Sequence, residues 1–545
     1  MEEKELIWQV ERDVLDQQHR QLDLFRRRSP LAVGHLLKVY GDGIRDVNRG
    51  VDTRTFVEAR FKVNMMGYGL GHCLRWLLEN QVTSVVLPAE RWEVLDREAA
   101  EFLGWGTAYS LLANDRTAWK ANLITAEVDQ ARKRITFGLP AAADGCWFVQ
   151  QIEAQQATID ERVGDRPDET LRADCIAWVG DSQLLQSGGL QGDYRRRPRT
   201  VAQAMEAWVS RSVLPTLDGS EDLTGFSLTQ FRMFVSSLLP FCLYHCWFED
   251  EADRRFGQTH PFGSQPMMLA GGRFLKWTCE VSGLSEDAAK AIIEMLTFDP
   301  SRFHERVTYR PFVVLADQTL LTSPRLWGLL NLERLLVGAL NASGRKRVYD
   351  HLINQIETSQ VKEIAAFLRR CAGWKLACQR SFHAGGVTIT PDFVIWEPDS
   401  DRILVIDYKH AMEASGPVEV TNRLSDFSKW IKRLGEYKAF FSGNWSVLKD
   451  EFGRTLKQVP AAIDGLILSR WPLALPVAEC GNIAVADWGG FQRFSSTDEG
   501  CGIGLLLEWA AIRPEIQRPN QVIVVPQEIH VGDWTYVRNA ISVAS

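Results

Sequence analysis

The chain has 545 residues, and at roughly 150 residues per domain that length implies three or four domains. Hydrophobic residues make up 45% and charged residues 24%, with 21 prolines, which excludes a disordered, collagenous or disulfide-stapled chain. Its 62 basic and 69 acidic side chains leave a formal net charge of -7, which excludes a globally basic nucleic-acid coat but leaves room for a local basic cleft. Met1-Glu-Glu-Lys carries acid where a signal peptide is basic, and no apolar segment follows, so a cytoplasmic location without a membrane partner is expected.

Residues 1–130 read as mostly helical. From 55 to 81, apolar side chains recur at helical spacing (Phe56, Val63, Cys73, Leu74, Leu77) around Gly67-Tyr-Gly69-Leu-Gly71. That glycine run lacks the register of a dinucleotide-binding turn and predicts close helix packing instead of phosphate binding. Residues 131–200 read as β-rich, with strands at 134–137 and 147–152 and a Gly- and Pro-punctuated basic loop at 187–199. Residues 201–345 read as helical again. Their apolar run 233–248 is a buried helix, too short and too polar, through Ser236, Ser237, Pro240 and His245, to span a membrane. Short strands at 311–315 and 320–321 precede a helix over 324–340, started by Ser323 and Pro324. Cys242-Leu-Tyr-His245-Cys246 lacks the second pair that a tetrahedral zinc site needs, and the other cysteines are not spaced for an iron–sulfur cluster, so packed thiols are expected. No P-loop motif occurs.

Residues 346–545 carry the chemistry. A helix at 349–371, a strand at 374–378, a strand at 388–396, a turn at 397–402, a strand at 403–409 and a helix at 419–441 follow in order. Asp407 and Lys409 end a strand built of Ile403, Leu404, Val405 and Ile406, where charge is out of place, and side chains two apart share a face. The two strands flank a short turn containing Pro398, which reads as an antiparallel hairpin. Centred between Asp399 and Ser400, the turn sets Asp392 opposite Asp407. Facing Cβ atoms then lie about 4.5–5.5 Å apart. Two carboxylates that close repel unless a proton or a cation lies between them, and hard oxygen ligands suit Mg²⁺ or Mn²⁺. The pair is a candidate metal clamp, and Lys409 would orient or help deprotonate an attacking water and offset charge developing on phosphorus.

Pro391-Asp392, fourteen residues, then Asp407-Tyr-Lys409 resembles the PD-(D/E)xK nuclease superfamily. The resemblance implies a multidomain α/β and α+β chain: mainly helical and mixed N-terminal regions, then a C-terminal restriction-endonuclease-like α/β nuclease core. It implies metal-dependent hydrolysis of DNA phosphodiester bonds, with Asp392 and Asp407 on the metal and Lys409 on the water. A glutamate of the preceding helix completes the family's set. Glu363 is the first choice, because Gly373-Trp-Lys-Leu follows at the distance where the family's helix gives way to its first strand. Glu357 is the alternate, since it shares a helical face with Val361, Ile364 and Leu368. The later helix extends the resemblance toward the RecB-like branch, whose Q-hydrophobic-x-x-Y pattern reads Arg433-Leu-Gly-Glu-Tyr437 here. Tyr437 fits; at Arg433 the glutamine's contact to phosphate or to metal-associated water is lost or passes to a guanidinium. Lys429 and Lys432 lie within about one helical turn and would line a nucleic-acid groove or form a solvated basic face.

Arg26-Arg-Arg28 and Arg195, Arg196 and Arg197 are the densest basic clusters, suited to phosphate contacts or to solvated loops. Tryptophans such as Trp8, Trp76 and Trp105 sit in apolar contexts and read as core. By analogy with the family, the chain is expected to be the nuclease effector of a prokaryotic phage-defence or mobile-element system, its N-terminal part serving recognition, sensing or docking to a partner ATPase. The alternatives are an inactive nuclease fold that binds nucleic acid and a protein-assembly scaffold. The acidic total weighs little against nucleic acid once carboxylates are reserved for a metal, because bound cations reverse the local sign.

Overall fold

The computed structural model describes residues 3–27, 31–49, 56–79, 92–138 except 121 and 123, 173, 199–256, 266–302, 306–371, 373–410, 417–453, 459–470, 483–495, 502–512 and 522–543. Within them the protein is a mixed α/β structure dominated by helices, and no helix is long and apolar enough to cross a membrane. The expected strand at 147–152, and Arg28, Arg195, Arg196 and Arg197, lie outside the described residues.

Helices α1 (Glu3–Asp13), α2 (Asp23–Arg27), α3 (Ala32–Arg49), α4 (Phe56–Glu79) and α5 (Trp92–Lys120) come first. Leu37, Tyr40, Leu74 and Phe102 of this bundle share a core with Val307, Val313 and Leu326 from far along the chain. The glycine run packs helices, as its composition predicts. A Cβ at Gly69 would meet the Thr107 nitrogen at 2.5 Å, and one at Gly106 would meet Cys73 Sγ at 2.3 Å, so the α4 and α5 backbones touch where neither position can carry a side chain. Trp8 departs from the core reading: it is 49% exposed, with Lys120 Nζ 3.5 Å from its ring centroid. Leu6, Ile7 and Val10 take the inward stripe of α1, which leaves Trp8 on the outer side.

Strands β1 (Thr125–Asp129) and β2 (Arg134–Gly138) form an antiparallel hairpin. Helices α6 (Arg199–Ser212), α7 (Leu228–Phe256), α8 (Gly271–Ser282), α9 (Glu286–Met295), α10 (Pro324–Leu329) and α11 (Leu332–Ala342) build the middle of the chain, beside a small antiparallel sheet of β3 (Met267–Ala270), β4 (Val313–Val314) and β5 (Thr319–Thr322). The apolar run 233–248 lies within α7, where Cys242 and Cys246 are buried thiols. The helix expected over 324–340 is two helices. The backbone leaves helical geometry at Leu330 and Asn331, and the Asn331 side chain accepts the N–H of Arg334 at 3.2 Å to start α11.

Helix α12 (Lys346–Leu368) serves two cores. Leu352 and Ile356 pack among the middle helices, while Val361, Ile364 and Leu368 pack on the central sheet, so a division at 345 falls beside a helix both regions use. After it come β6 (Lys375–Cys378), β7 (Phe382–Ala384), β8 (Val387–Ile389), β9 (Phe393–Glu397), β10 (Arg402–Lys409), α13 (Pro417–Gly443), α14 (Val447–Phe452), β11 (Ala462–Ser469), β12 (Ala484–Asp487), α15 (Trp488–Ser495) and α16 (Ile503–Ile512). The central sheet has the order β12-β11-β10-β9-β6. Its β6, β9 and β10 are antiparallel neighbours, and β10, β11 and β12 run parallel. Parallel neighbours need a crossover, which α13 supplies between β10 and β11. Both faces are covered. Val394, Trp396, Ile403 and Val405 pack on Phe427, Leu434 and Phe441 of α13, and Phe393, Ile395, Leu404, Ile406 and Tyr408 face α12, α15 and α16.

The β9–β10 hairpin has the register read from its turn, with Glu397 opposite Arg402 and Phe393 opposite Ile406. The strand expected over 388–396 is broken. β8 pairs with β7 as a separate hairpin, and β9 starts only at Phe393. Pro391 has no N–H for a ladder, and Asp392 sits at the break. Strands β13 (Val522–Val531) and β14 (Trp534–Val543), which the sequence groups with the C-terminal region, complete the first sheet in the order β1-β2-β14-β13. There β14 runs parallel to β2, with Tyr536 opposite Ile135.

Candidate active site

Alternation along β10 sorts the site. Ile403 and Val405 face α13, so Asp407 and Lys409 face it too, while Leu404, Ile406 and Tyr408 face α12. Asp407 is 2% exposed. Asp392 stands at the start of the neighbouring strand on the same face, fastened twice: its Oδ2 accepts the N–H of Tyr408 at 2.8 Å, and its carbonyl accepts the N–H of Gln379 at 2.9 Å. Lys409 Nζ donates to Asp407 Oδ1 at 3.0 Å and to the Tyr408 carbonyl at 2.8 Å. Arg433, on the facing side of α13, donates through Nη2 to both oxygens of Asp407, at 2.8 and 2.7 Å. Tyr437, four residues on, donates its hydroxyl to the Thr390 carbonyl at 3.4 Å, tying α13 to the segment that carries Asp392.

Burial above all raises the proton affinity of Asp392, to a pKa of about 6; Lys409 opposes the rise and the charge of Asp407 adds to it. For Arg433, burial works against the charge, but the hydrogen bond and charge of Asp407 outweigh it, and the guanidinium holds its proton more tightly than usual. Two side-chain cations therefore face Asp407, while Asp392 holds its proton to a higher pH than an ordinary aspartate. The two carboxylates are close enough to interact, and their hard oxygens suit a small divalent metal.

The other residues read from sequence are distributed unevenly. Lys429 is exposed and paired with Asp426 Oδ1 at 3.1 Å, and Lys432 is exposed on the same helix. The charge of Glu363 reaches Tyr408, as do those of Glu357 and Glu333. Glu363 is exposed, none of the hydrogen bonds or ion pairs among the described residues involves it, and no group of three or more His, Cys, Asp or Glu side chains suited to a metal occurs among them. Glu357, six residues or about 9 Å of helix before Glu363, accepts the backbone N–H of His410 at 3.3 Å.

Three residues that the motif did not single out stand behind the site. The Tyr408 hydroxyl donates to Gln360 Oε1, which also lies 3.0 Å from His410 Nδ1. The far side of the His410 ring approaches Glu333 Oε1 of α11 at 3.7 Å. The sequence held a faint signal for this set. Gln360 falls on the face that Glu357, Val361 and Ile364 share, and His410 follows Lys409 directly. Buried polar contacts of this kind fix the strand end from the side opposite the carboxylates.

The arrangement offers two hard carboxylates that a cation would bridge, an ammonium beside them and a partly exposed guanidinium at their mouth. Comparison with protein-family models, with curated proteins and with solved structures finds no match to this chain.

Proposed function

We propose that the protein is a Mg²⁺-dependent nuclease that hydrolyses DNA phosphodiester bonds, with Mn²⁺ able to replace Mg²⁺. The observation that carries the reading is the placement of Asp392, Asp407 and Lys409 on one sheet face at the ends of adjacent strands. The sheet order, with α13 crossing between β10 and β11 and α12 covering the opposite face, is consistent with the restriction-endonuclease-like core that the motif suggests.

Asp392 and Asp407 would hold the metal, which when bound neutralises the carboxylate pair and polarises the scissile phosphate. In hydrolysis a water oxygen adds to phosphorus and the bond to one ester oxygen breaks. The water's proton must leave and the departing oxygen must gain one. Lys409, anchored between Asp407 and the Tyr408 carbonyl, stands where it would orient that water and stabilise the charge gathering on phosphorus. Tyr437 and Arg433 would hold the nucleic-acid backbone at the mouth of the site, with Lys429 and Lys432 beside it. The regions before 346 would supply recognition, sensing or docking to a partner such as an ATPase, which suits the effector of a prokaryotic defence or mobile-element system.

The test is incubation of the full chain with Mg²⁺ or Mn²⁺ and linear, circular and single-stranded DNA, beside Lys409→Ala. The reading expects metal-dependent cleavage that falls by about a hundredfold or more in the variant. Metal-dependent binding without cleavage would replace it with a nucleic-acid-binding module.

A further inference from the structure

Asp407 is nearly buried, yet it faces two cations at once. Lys409 comes from its own strand and needs no motion to be there. Arg433 comes from α13, and its side chain is 43% exposed against 3% for Asp407. The guanidinium therefore stands at the boundary between the carboxylate pair and solvent. Through a single nitrogen it engages both oxygens of Asp407, the atoms a metal would need. A guanidinium also matches the oxygen pair of a phosphodiester, and a contact to a charged acceptor is stronger than one to a neutral acceptor. A phosphate arriving at the mouth of the site thus offers Arg433 an alternative anion without requiring it to desolvate alone.

We propose that Arg433 is an exchangeable latch: without nucleic acid it occupies the metal-binding oxygens of Asp407, and a backbone phosphate draws it outward, so that metal and nucleic acid bind cooperatively. The proposal rests on the nuclease reading of the site. By linkage, the factor by which nucleic acid tightens metal binding equals the factor by which metal tightens nucleic-acid binding. Arg433 acts through Asp407 and through the phosphate, so its substitution changes metal affinity before any chemistry takes place. Phe427, Leu434 and Phe441 fix α13 on the sheet, so the one side chain can swing without moving the helix.

The experiment measures Mn²⁺ binding to the full chain by electron paramagnetic resonance of free Mn²⁺, with and without a short phosphorothioate DNA duplex that resists cleavage. Wild type is compared with Arg433→Gln, Arg433→Lys and the double variant Arg433→Gln/Asp407→Asn, and circular dichroism checks that each folds. The latch predicts that Arg433→Gln binds Mn²⁺ about tenfold or more tightly than wild type in the absence of DNA, the scale of a lost competing charge-assisted contact. It also predicts that DNA tightens Mn²⁺ binding by wild type by a similar factor and has little effect on Arg433→Gln. Arg433→Lys falls between the two, because an ammonium competes as a point charge. Equal Mn²⁺ affinity in wild type and Arg433→Gln, abolished by Asp407→Asn, overturns the latch and leaves the metal site standing. Absence of Mn²⁺ binding in both, or binding that survives Asp407→Asn, overturns the metal site and the latch with it.

Discussion

Asp392 accepts the backbone N–H of Tyr408 through Oδ2, so the loop residue that brings one carboxylate is held by the strand that brings the other. A carboxyl group that is half of such a pair cannot behave as an isolated acid. Its proton is held up to a pH of about 6, against 3.8 for an unperturbed aspartate, chiefly because burial penalises the charge.

The stability consequence has a definite sign. The folded chain holds this proton more tightly than the unfolded one, so Asp392 contributes stability below pH 3.8 that is lost as pH rises through about 6. Asp392→Asn, which keeps an oxygen for Tyr408, is expected to raise stability at pH 8 by about 1–3 kcal/mol and to change little at pH 4. Urea melts at the two pH values check this. Mn²⁺ affinity in wild type falls as pH is lowered through the same window, because metal and proton compete for one carboxylate.

Glu357 and Glu363 separate by their contacts: among the described residues, Glu357 holds the backbone of His410 and Glu363 makes no hydrogen bond or ion pair. Glu357→Ala removes the acceptor for the His410 N–H and is expected to lower cleavage by about tenfold or more, the scale of losing an outer-shell partner. Glu363→Ala touches no hydrogen bond or ion pair of the described residues and leaves cleavage within about threefold. Initial rates of Mg²⁺-dependent DNA cleavage by the two variants decide it.

At the crossing of α4 and α5, two neighbouring glycines give opposite expectations. Gly106→Ala places a methyl 2.3 Å from Cys73 Sγ and 2.7 Å from the Gly69 carbonyl oxygen, and forcing the helices apart costs about 1–3 kcal/mol or more. Gly104→Ala meets nothing within 4 Å and gains about 0.5–1 kcal/mol from the reduced freedom of the unfolded helix. Thermal melts of the two variants are expected to shift in opposite directions.

His19 stacks on Trp76 at 4.4 Å between ring centroids and meets Phe25 edge-on at 5.0 Å. Burial is the main cause that brings its pKa down to about 4 from the usual 6.5, and the charge of Arg20 adds to the fall. Its neutral form supports the fold fully above pH 6.5, and that support is lost as pH falls toward 4. Between pH 7 and 5 the His19 contribution alone is expected to fall by on the order of 1–2 kcal/mol, against the opposite trend of Asp392, and His19→Phe to remove that part of the pH dependence. Urea denaturation at the two pH values, wild type against variant, is the measurement.

What the sequence discloses follows the range of the interactions involved. The β9–β10 register was readable because a short turn with Pro398 leaves few ways to pair two neighbouring strands, and the glycine contact of α4 and α5 was readable because only backbone contact explains so many glycines inside a helical pattern. The break before Asp392 was hidden by the β-branched run around it, although Pro391 marks the place. The contact of Glu357 with the His410 N–H is not legible in the spacing between α12 and β6 that favours Glu363, because it depends on how the helix packs on the strand end. Gln360 and His410 belong to the same difficulty, since their meeting depends on how a helix and a strand pack. The parallel pairing of β2 with β14 joins segments almost 400 residues apart, and no local pattern encodes such a partner.

That last pairing sets an order of events during synthesis. The β1–β2 hairpin leaves the ribosome long before β14 exists, and at about 5–20 residues per second the interval is roughly 20–80 s. Throughout it, the edge of β2 destined for Tyr536, Val537 and Arg538 has unpaired backbone groups and is open to pairing with another nascent copy. The growing chain must keep that edge covered or charged until β14 arrives, and Arg134, at the start of β2, places a charge there.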